Sequence, residues 1–185
     1  MKVDLTWVLT IALVLAFVLW RLSAKAGRLD RLHHRIELAD ASLDTQLWRR
    51  SRATEALAVS GLLDPASSIV LAEAASHSRL VAEKEPQRRG LVESELSRNL
   101  REVLADPGTV EYLRSSPQGE EIVDDLAYAC NQVSLARRFR NDGVQATRLL
   151  RQGTVVRLFR LAGTAQMPQM MEMDDAIPDT IAPYV

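Results

Sequence analysis

Three carboxylates and an arginine recur at intervals that a metal-assisted hydrolase could use: Glu93, then Arg101-Glu102-Val103, then Asp106 with Gly108. Carboxylates set along a loop, a helix and a second loop can hold magnesium against a substrate diphosphate and offset the charge on the leaving group. A charged amphipathic helix accounts for the same residues. His33-His34 with Glu37 offers metal ligands at helical spacing, but no third ligand occurs at a defined interval and there is no HExxH pattern. Solvated histidines beside a basic stretch explain them as well, and His77 stands alone. Cys130 is the single cysteine, which excludes an intramolecular disulfide. With no histidine near it in sequence, it reads as a small buried thiol rather than a nucleophile. No glycine-rich phosphate loop, nucleophile elbow or zinc spacing occurs. The sequence therefore assigns no catalytic, cofactor-binding or metal residue, and a non-enzymatic protein without a cofactor is the expectation.

The elements that would carry these side chains are helices. Hydrophobic residues make up 47% of the 185 residues, but they concentrate at the start of the chain. The remainder is charged and rich in Leu, Ala, Arg and Glu, the composition of long helices. Aromatics are only 5%, and β-branched residues seldom cluster after the first segment, which disfavours a sheet. A net charge of -1 provides no bias toward nucleic acid, and no such partner is expected.

Leu5 to Leu22 reads LTWVLTIALVLAFVLWRL, uncharged until Arg21. As a helix this run spans roughly 27 Å, close to the hydrocarbon thickness of a bilayer. Thr6 and Thr10 can bond back to the helix, and Trp7 and Trp20 sit toward its ends, where amphipathic rings favour the interface. A buried core helix has no need of apolar residues on every face. A cleaved signal peptide is the rival: Ala24-Lys25-Ala26 has the small-x-small form and would leave a mature N-terminus at Gly27. Against it, only Lys2 precedes the run, offset by Asp4, and the run exceeds the usual signal length. Arg21, Lys25, Arg28, Arg31 and Arg35 come after it. The positive-inside rule then places the N-terminus outside and residues 23 onward in the cytoplasm. The basic 21–35 stretch also suits anionic lipid headgroups, about 1 kcal/mol per cation near such a surface.

Behind the anchor, Leu22, Leu29, Ile36, Leu43 and Leu57 share a seven-residue spacing, with Leu32 and Ala39 between them. This is a heptad stripe facing a partner helix. No proline interrupts the chain before Pro65, so the first helix is expected to run to about Leu62, with Asp64 capping the next and Pro65 in its first turn. Helix two is expected over Pro65–Lys84, with Ile69, Ala72, Leu80 and Val81 apolar. A break near Pro86 and Gly90 precedes helix three over Leu91–Leu104. Asp106-Pro107-Gly108 then closes it, leaving Val110–Ser116 as a connector with one turn of helix. A second long helix runs from Pro117 to Gln152 with Ile122, Leu126, Ala129, Val133, Ala136 and Leu150 as its seam, and Gly143 permits close approach. The expected fold is all-α, an elongated antiparallel bundle of about four helices behind a transmembrane helix. Its segments are residues 1–4 as a short tail, 5–22 as the anchor, 23–152 as the bundle and 153–185 as an amphipathic, Met-rich and acidic end. The heptad places Gln46 and Arg50 in the stripe, and an arginine there requires a carboxylate or carbonyl partner. Such polar layers fix register more often than they perform chemistry.

Leu43-Asp44-Thr45-Gln46-Leu47-Trp48-Arg49-Arg50 resembles the "I-D-V-Q-L-K-R-R" run of the LemA family. Asn131, Ala136-Arg137-Arg138-Phe139-Arg140-Asn141 and Val144 are similar to its "E-N-x-I-x-x-A-R-R-x-Y-N-x-A-V" signature. Leu158 to Gly163, and then Met170-Met171-Glu172, resemble its closing "G-L-F-G-F … F-F-E" segment. With the anchor, the similarity extends in order over nearly the whole chain. Departures mark a divergent member: Arg140 replaces tyrosine, Gly153-Thr154 replaces "F-P", and methionines replace the terminal aromatics. The resemblance implies a membrane-tethered cytoplasmic helical bundle and no particular reaction. The carboxylate spacing around Glu93 is similar to part of the Nudix box, which would imply diphosphate hydrolysis, but Gln87 stands at that box's initial glycine and Ala105 replaces one of its metal-binding carboxylates. A Nudix fold, however, surrounds its box with a mixed sheet, for which the sequence has no strands.

The C-terminal end offers a contact surface. Val155 to Leu161 alternates apolar residues with Arg157 and Arg160, and Met167, Met170, Met171 and Met173 lead into Glu172, Asp174, Asp175 and Asp179. These methionines could adapt to a helical partner, or the segment could pack on its own bundle with its acidic end mobile. The composite expectation is a scaffold or recruiting protein at the inner face of a membrane, with unidentified protein partners.

Overall fold

The computed structural model describes residues 5–80, 86–161, 163 and 165–185. Six α-helices occur among them: α1 (Leu5–Val59), α2 (Pro65–Leu80), α3 (Pro86–Val103), α4 (Pro107–Arg114), α5 (Pro117–Gln152) and α6 (Thr154–Leu158), with a final 3-10 turn at Ala182–Tyr184. The described residues contain no strand, and the fold class is all-α. Six helices rather than about four arise because α4 and α6 are complete short helices. Asp106 makes α4 possible: its carboxylate accepts from the backbone N–H of Gly108 (3.3 Å) and Thr109 (3.1 Å), with Pro107 preset for the first turn.

The long helices begin and end where local chemistry directs. α1 stops at Val59, three residues before the expected Leu62, because Gly61 adopts a positive φ of 73° that halts the helix at little cost. Asp64 then caps α2, accepting from Ala66 N–H (3.0 Å) and Ser67 N–H (3.1 Å). The Ser67 hydroxyl and these backbone donors hold the Asp64 carboxyl below its ordinary range. Residues 81–84, which the sequence assigns to the end of α2, lie outside the described residues, as do Lys2 and Asp4. Gly90 does not break the chain: α3 runs through it from Pro86. The reason for glycine is proximity, since a Cβ there would sit 2.2 Å from the carbonyl oxygen of Glu172.

Two compact units emerge. The first joins the chain up to Leu38 with Asp142–Pro168. Its buried residues are Leu29, Ile36, Val144, Thr147 and Val156, and a Cβ on Gly143 would lie 3.5 Å from Ile36. The second joins Ala39–Asn141 with Gln169–Val185 and holds the main core. That core gathers Leu57 from α1, Leu71 from α2, Leu96, Leu100 and Leu104 near α3, Leu113 from α4, Leu126 from α5 and Ile181 from the C-terminal segment. A smaller cluster unites Leu43, Leu47, Val133 and Met171. The stripe of α1 is thus buried at Leu29, Ile36, Ala39, Leu43 and Leu57, while Leu22 and Leu32 are half-covered. On α5, Leu126, Ala129 and Val133 are buried as the seam requires, with Val123, Ala127 and Cys130 widening it; Ile122, Ala136 and Leu150 are half-buried.

The first part of α1 differs from everything else. Its apolar window is wholly uncovered, long enough and apolar enough to cross a membrane. Trp7, Leu9, Leu13, Phe17 and Trp20 are all exposed.

Candidate interaction site

In the second unit the heptad of α1 delivers Arg50 into the interior, with only 1% of its surface exposed. Burial of an unpaired guanidinium would cost several kcal/mol, so its surroundings are fixed by need. α3 supplies the partner. Arg50 Nη2 donates to Glu93 Oε2 (2.6 Å) and to the Glu93 carbonyl (3.2 Å), and Nη1 donates to Ser97 Oγ (2.9 Å). Ser97 Oγ donates its own proton to the Glu93 carbonyl (3.0 Å), and Ser78 of α2 donates to the second carboxylate oxygen, Oε1 (2.8 Å). The adjacent Ser51 donates to the Ala75 carbonyl at 2.7 Å. One neutralised network therefore locks α1, α2 and α3 in a single register. Arg50 has the carboxylate and carbonyl partners its position demands. Gln46, the other polar residue of the stripe, is half-buried, and its Oε1 has no hydrogen-bond partner among the described residues.

Beside this network lies an open cleft of about 250 Å³ lined by Asp44, Trp48, Ser78, Arg79, Arg89 and Glu93. Its charges are already paired: Arg89 with Asp44, and Arg79 with Glu55 at 2.5 and 2.9 Å. The Arg79 fork holds the Glu55 carboxyl below its usual range. Arg52 stacks on Trp48, 4.8 Å from the ring centre.

Residues 165–178 of the C-terminal segment form a strap without regular structure, held by side chains. Asn141 reads the backbone of Met171 in both directions, its amide donating to the carbonyl and its oxygen accepting from the N–H, each at 3.0 Å. Arg140 bonds Asp40 and the Gln169 carbonyl, and Arg137 grips Asp175 with two bonds of 2.8 and 2.9 Å. Arg101 binds Asp174 and the Ala176 carbonyl, Ser94 Oγ accepts from Asp174 N–H (2.9 Å), and Thr180 donates to the Leu104 carbonyl (2.6 Å). Arg101 draws the Asp174 carboxyl below its ordinary range, and Asp174 in turn raises Arg101. Of the two fates open to this segment, packing on its own bundle is the one observed. Its acidic end is anchored rather than mobile at Asp174 and Asp175, and Met171 and Ile181 are buried.

The hydrolase pattern is not assembled into one site. Glu93 is consumed by Arg50 and Ser78, Arg101 by the strap, and Asp106 by the α4 cap, while Glu102 is exposed. The Gln87 side chain lies outside the described residues. His34 meets Glu37 at 3.4 Å in solvent, and no group of three potential metal ligands gathers among the described residues. Cys130 is buried; burial pushes its thiol up to about 11, with nearby Arg50 pulling weakly the other way. His77 lines a second, larger cleft of about 530 Å³ between α2 and α3, with Val70, Glu73, Leu80, Glu95 and Asn99.

Sequence reasoning marked Arg50, Arg137, Arg140 and Asn141 but missed what they hold. The available signal was charge complementarity between the arginines around 137–140 and the acidic run at 172–175. No family model matches the chain, and no curated protein or solved structure shows significant similarity to it.

Proposed function

We propose that this chain is a single-pass membrane protein, a divergent LemA-like member, whose helical domain lies in the cytoplasm and recruits other proteins without catalysing a reaction. The observation that carries the reading is the contrast within α1: apolar on every side and uncovered before Leu22, apolar on one buried stripe after it. The excess of Arg and Lys just after the run supports a cytoplasmic domain. The LemA-like runs support the assignment because they contain Arg50, Arg137 and Asn141, the side chains that organise the second unit.

The recruiting surface is the cleft between α2 and α3. Exposed Val70 and Leu80 line it, exposed Ile69 and Leu91 lie on the same two helices, and Glu73 and Glu95 add negative charge. An amphipathic helix with an apolar stripe and flanking basic residues matches this chemistry. Photo-crosslinking groups at Leu80 and Leu91 in the full chain should capture a discrete partner in cells, and Val70→Asp should abolish the adduct. Capture at neither position, with the protein intact in the membrane, overturns the recruiting role. A cytoplasm-dependent reporter fused at Val185 should be active; an inactive, exported reporter overturns the orientation.

A further inference from the structure

The return of the chain at the end of α5 belongs to the same compact unit as the first part of α1. In the first unit Gly143 lies against Ile36, and the segment of that unit that covers α1 is Asp142–Pro168. Leu29 is 3% exposed and Leu22 is half-buried, so this segment advances along α1 toward the apolar run, not away from it. From Gly143 to Gln152, α5 climbs about 13.5 Å, enough to reach the level of Gly27. α6 comes next. Its Val156 is buried at 2%, fastening it to the unit, while Arg157, Leu158, Phe159 and Arg160 are exposed, Leu158 by 74%. Arg160 takes a positive φ of 49°, uncommon for a residue with a side chain, and Gly163 takes 56°. Residues 165–168 then lie along α5, where Arg151 donates to the Gln166 and Ala165 carbonyls (2.7 and 2.6 Å) and Arg148 to that of Pro168 (2.8 Å). The exposed tip is therefore held from both sides.

Resting on the single-pass reading, we infer that the α6 turn is an interfacial foot: Leu158 and Phe159 enter the anionic bilayer surface beside the anchor, with Arg157 and Arg160 on its headgroups. The occupant is lipid because the patch belongs to the same compact unit as the apolar run and shares the positive sign of Arg21, Lys25 and Arg28. A paired aromatic and leucine between two arginines is the chemistry of a surface-lying element, with apolar groups at the acyl boundary and cations at the phosphates. Two attachments, one spanning and one lying on the surface, would fix the domain's tilt and rotation against the membrane, which a lone helix does not.

The test places a spin label on Phe159→Cys in the full chain in nanodiscs of phosphatidylcholine, with or without phosphatidylglycerol, and measures collisions with oxygen against a water-soluble nickel chelate. Leu13→Cys serves as the lipid reference and Glu111→Cys, at an exposed position of α4, as the aqueous one; buried Cys130 takes no label. The label at 159 should favour oxygen as the label at 13 does, more strongly with phosphatidylglycerol. Arg157→Glu with Arg160→Glu should return it to the aqueous ratio, while the paired lysine substitutions retain the lipid ratio. A label at 159 matching that at 111 in both lipids, with 13 still in lipid, overturns the foot alone. If 13 is also aqueous, the anchor reading falls and the foot with it.

Discussion

The first and second halves of α1 belong to one uninterrupted helix, yet they distribute their apolar side chains differently. Around Leu13, 73% exposed, apolar side chains point in every direction and no described residue covers them. Around Leu57, fully buried, the apolar side chains form one stripe, and that stripe alone is covered. Hydroxyls behave alike in both halves, Thr10 bonding back to the Thr6 carbonyl at 2.8 Å and Thr45 to the Ala41 carbonyl at 2.9 Å, whereas Arg50 reaches across to α3. A helix without breakers therefore says nothing about its surroundings; the angular distribution of its apolar residues does.

The sharpest break in this contrast falls on the buried charge. Arg50→Ala leaves Glu93 buried and unpaired and should cost about 3–5 kcal/mol in chemical denaturation of the detergent-solubilised chain. Joint replacement of Arg50 and Glu93 by methionine should recover most of that loss; a double variant as unstable as the single one would mean the pair does more than satisfy itself. Leu57→Ala should lose about 2–5 kcal/mol, while Leu13→Ala should leave the same transition almost unmoved. Equal effects would erase the distinction between the halves. Leu13→Arg should act the other way: insertion is penalised by about 2.5–3.5 kcal/mol, and the fraction resisting alkaline carbonate extraction should fall, with the bundle's stability preserved.

Smaller effects probe the strap. Gly90→Ala would push a methyl group into the Glu172 carbonyl and should cost about 1–3 kcal/mol, visible as faster proteolysis near residue 172. Asp174→Asn should cost less than about 1 kcal/mol, since the pair with Arg101 is partly exposed and salt-screened. Because Arg101 lowers the folded pKa of Asp174, that contribution is present above the ordinary aspartate pKa of about 3.9. It disappears as pH falls through the lower folded value. Hydrogen exchange of the strap amides as a function of pH would read it, and an opposite slope would refute the assignment.

The all-α class, the heptad positions of α1 and the Asp64-Pro65 start of α2 were legible without coordinates. Periodicity and caps depend on residues within a few positions of one another, so spacing alone determines them. The same reasoning required that Arg50 have a partner. Tertiary structure decided which: Glu93 stands 43 positions later, and no local pattern distinguishes it from the other glutamates of α3. The strap was hidden for a related reason. Its backbone bonds go to side chains of Asn141, Arg140 and Arg101 rather than to a helix ladder, so it carries no period to detect. Gly90 looked like a break because glycine is poor in helices, but its role is the close passage of Glu172, which only packing reveals. Local spacing specified the helices; non-local contact assigned each polar and small residue its task.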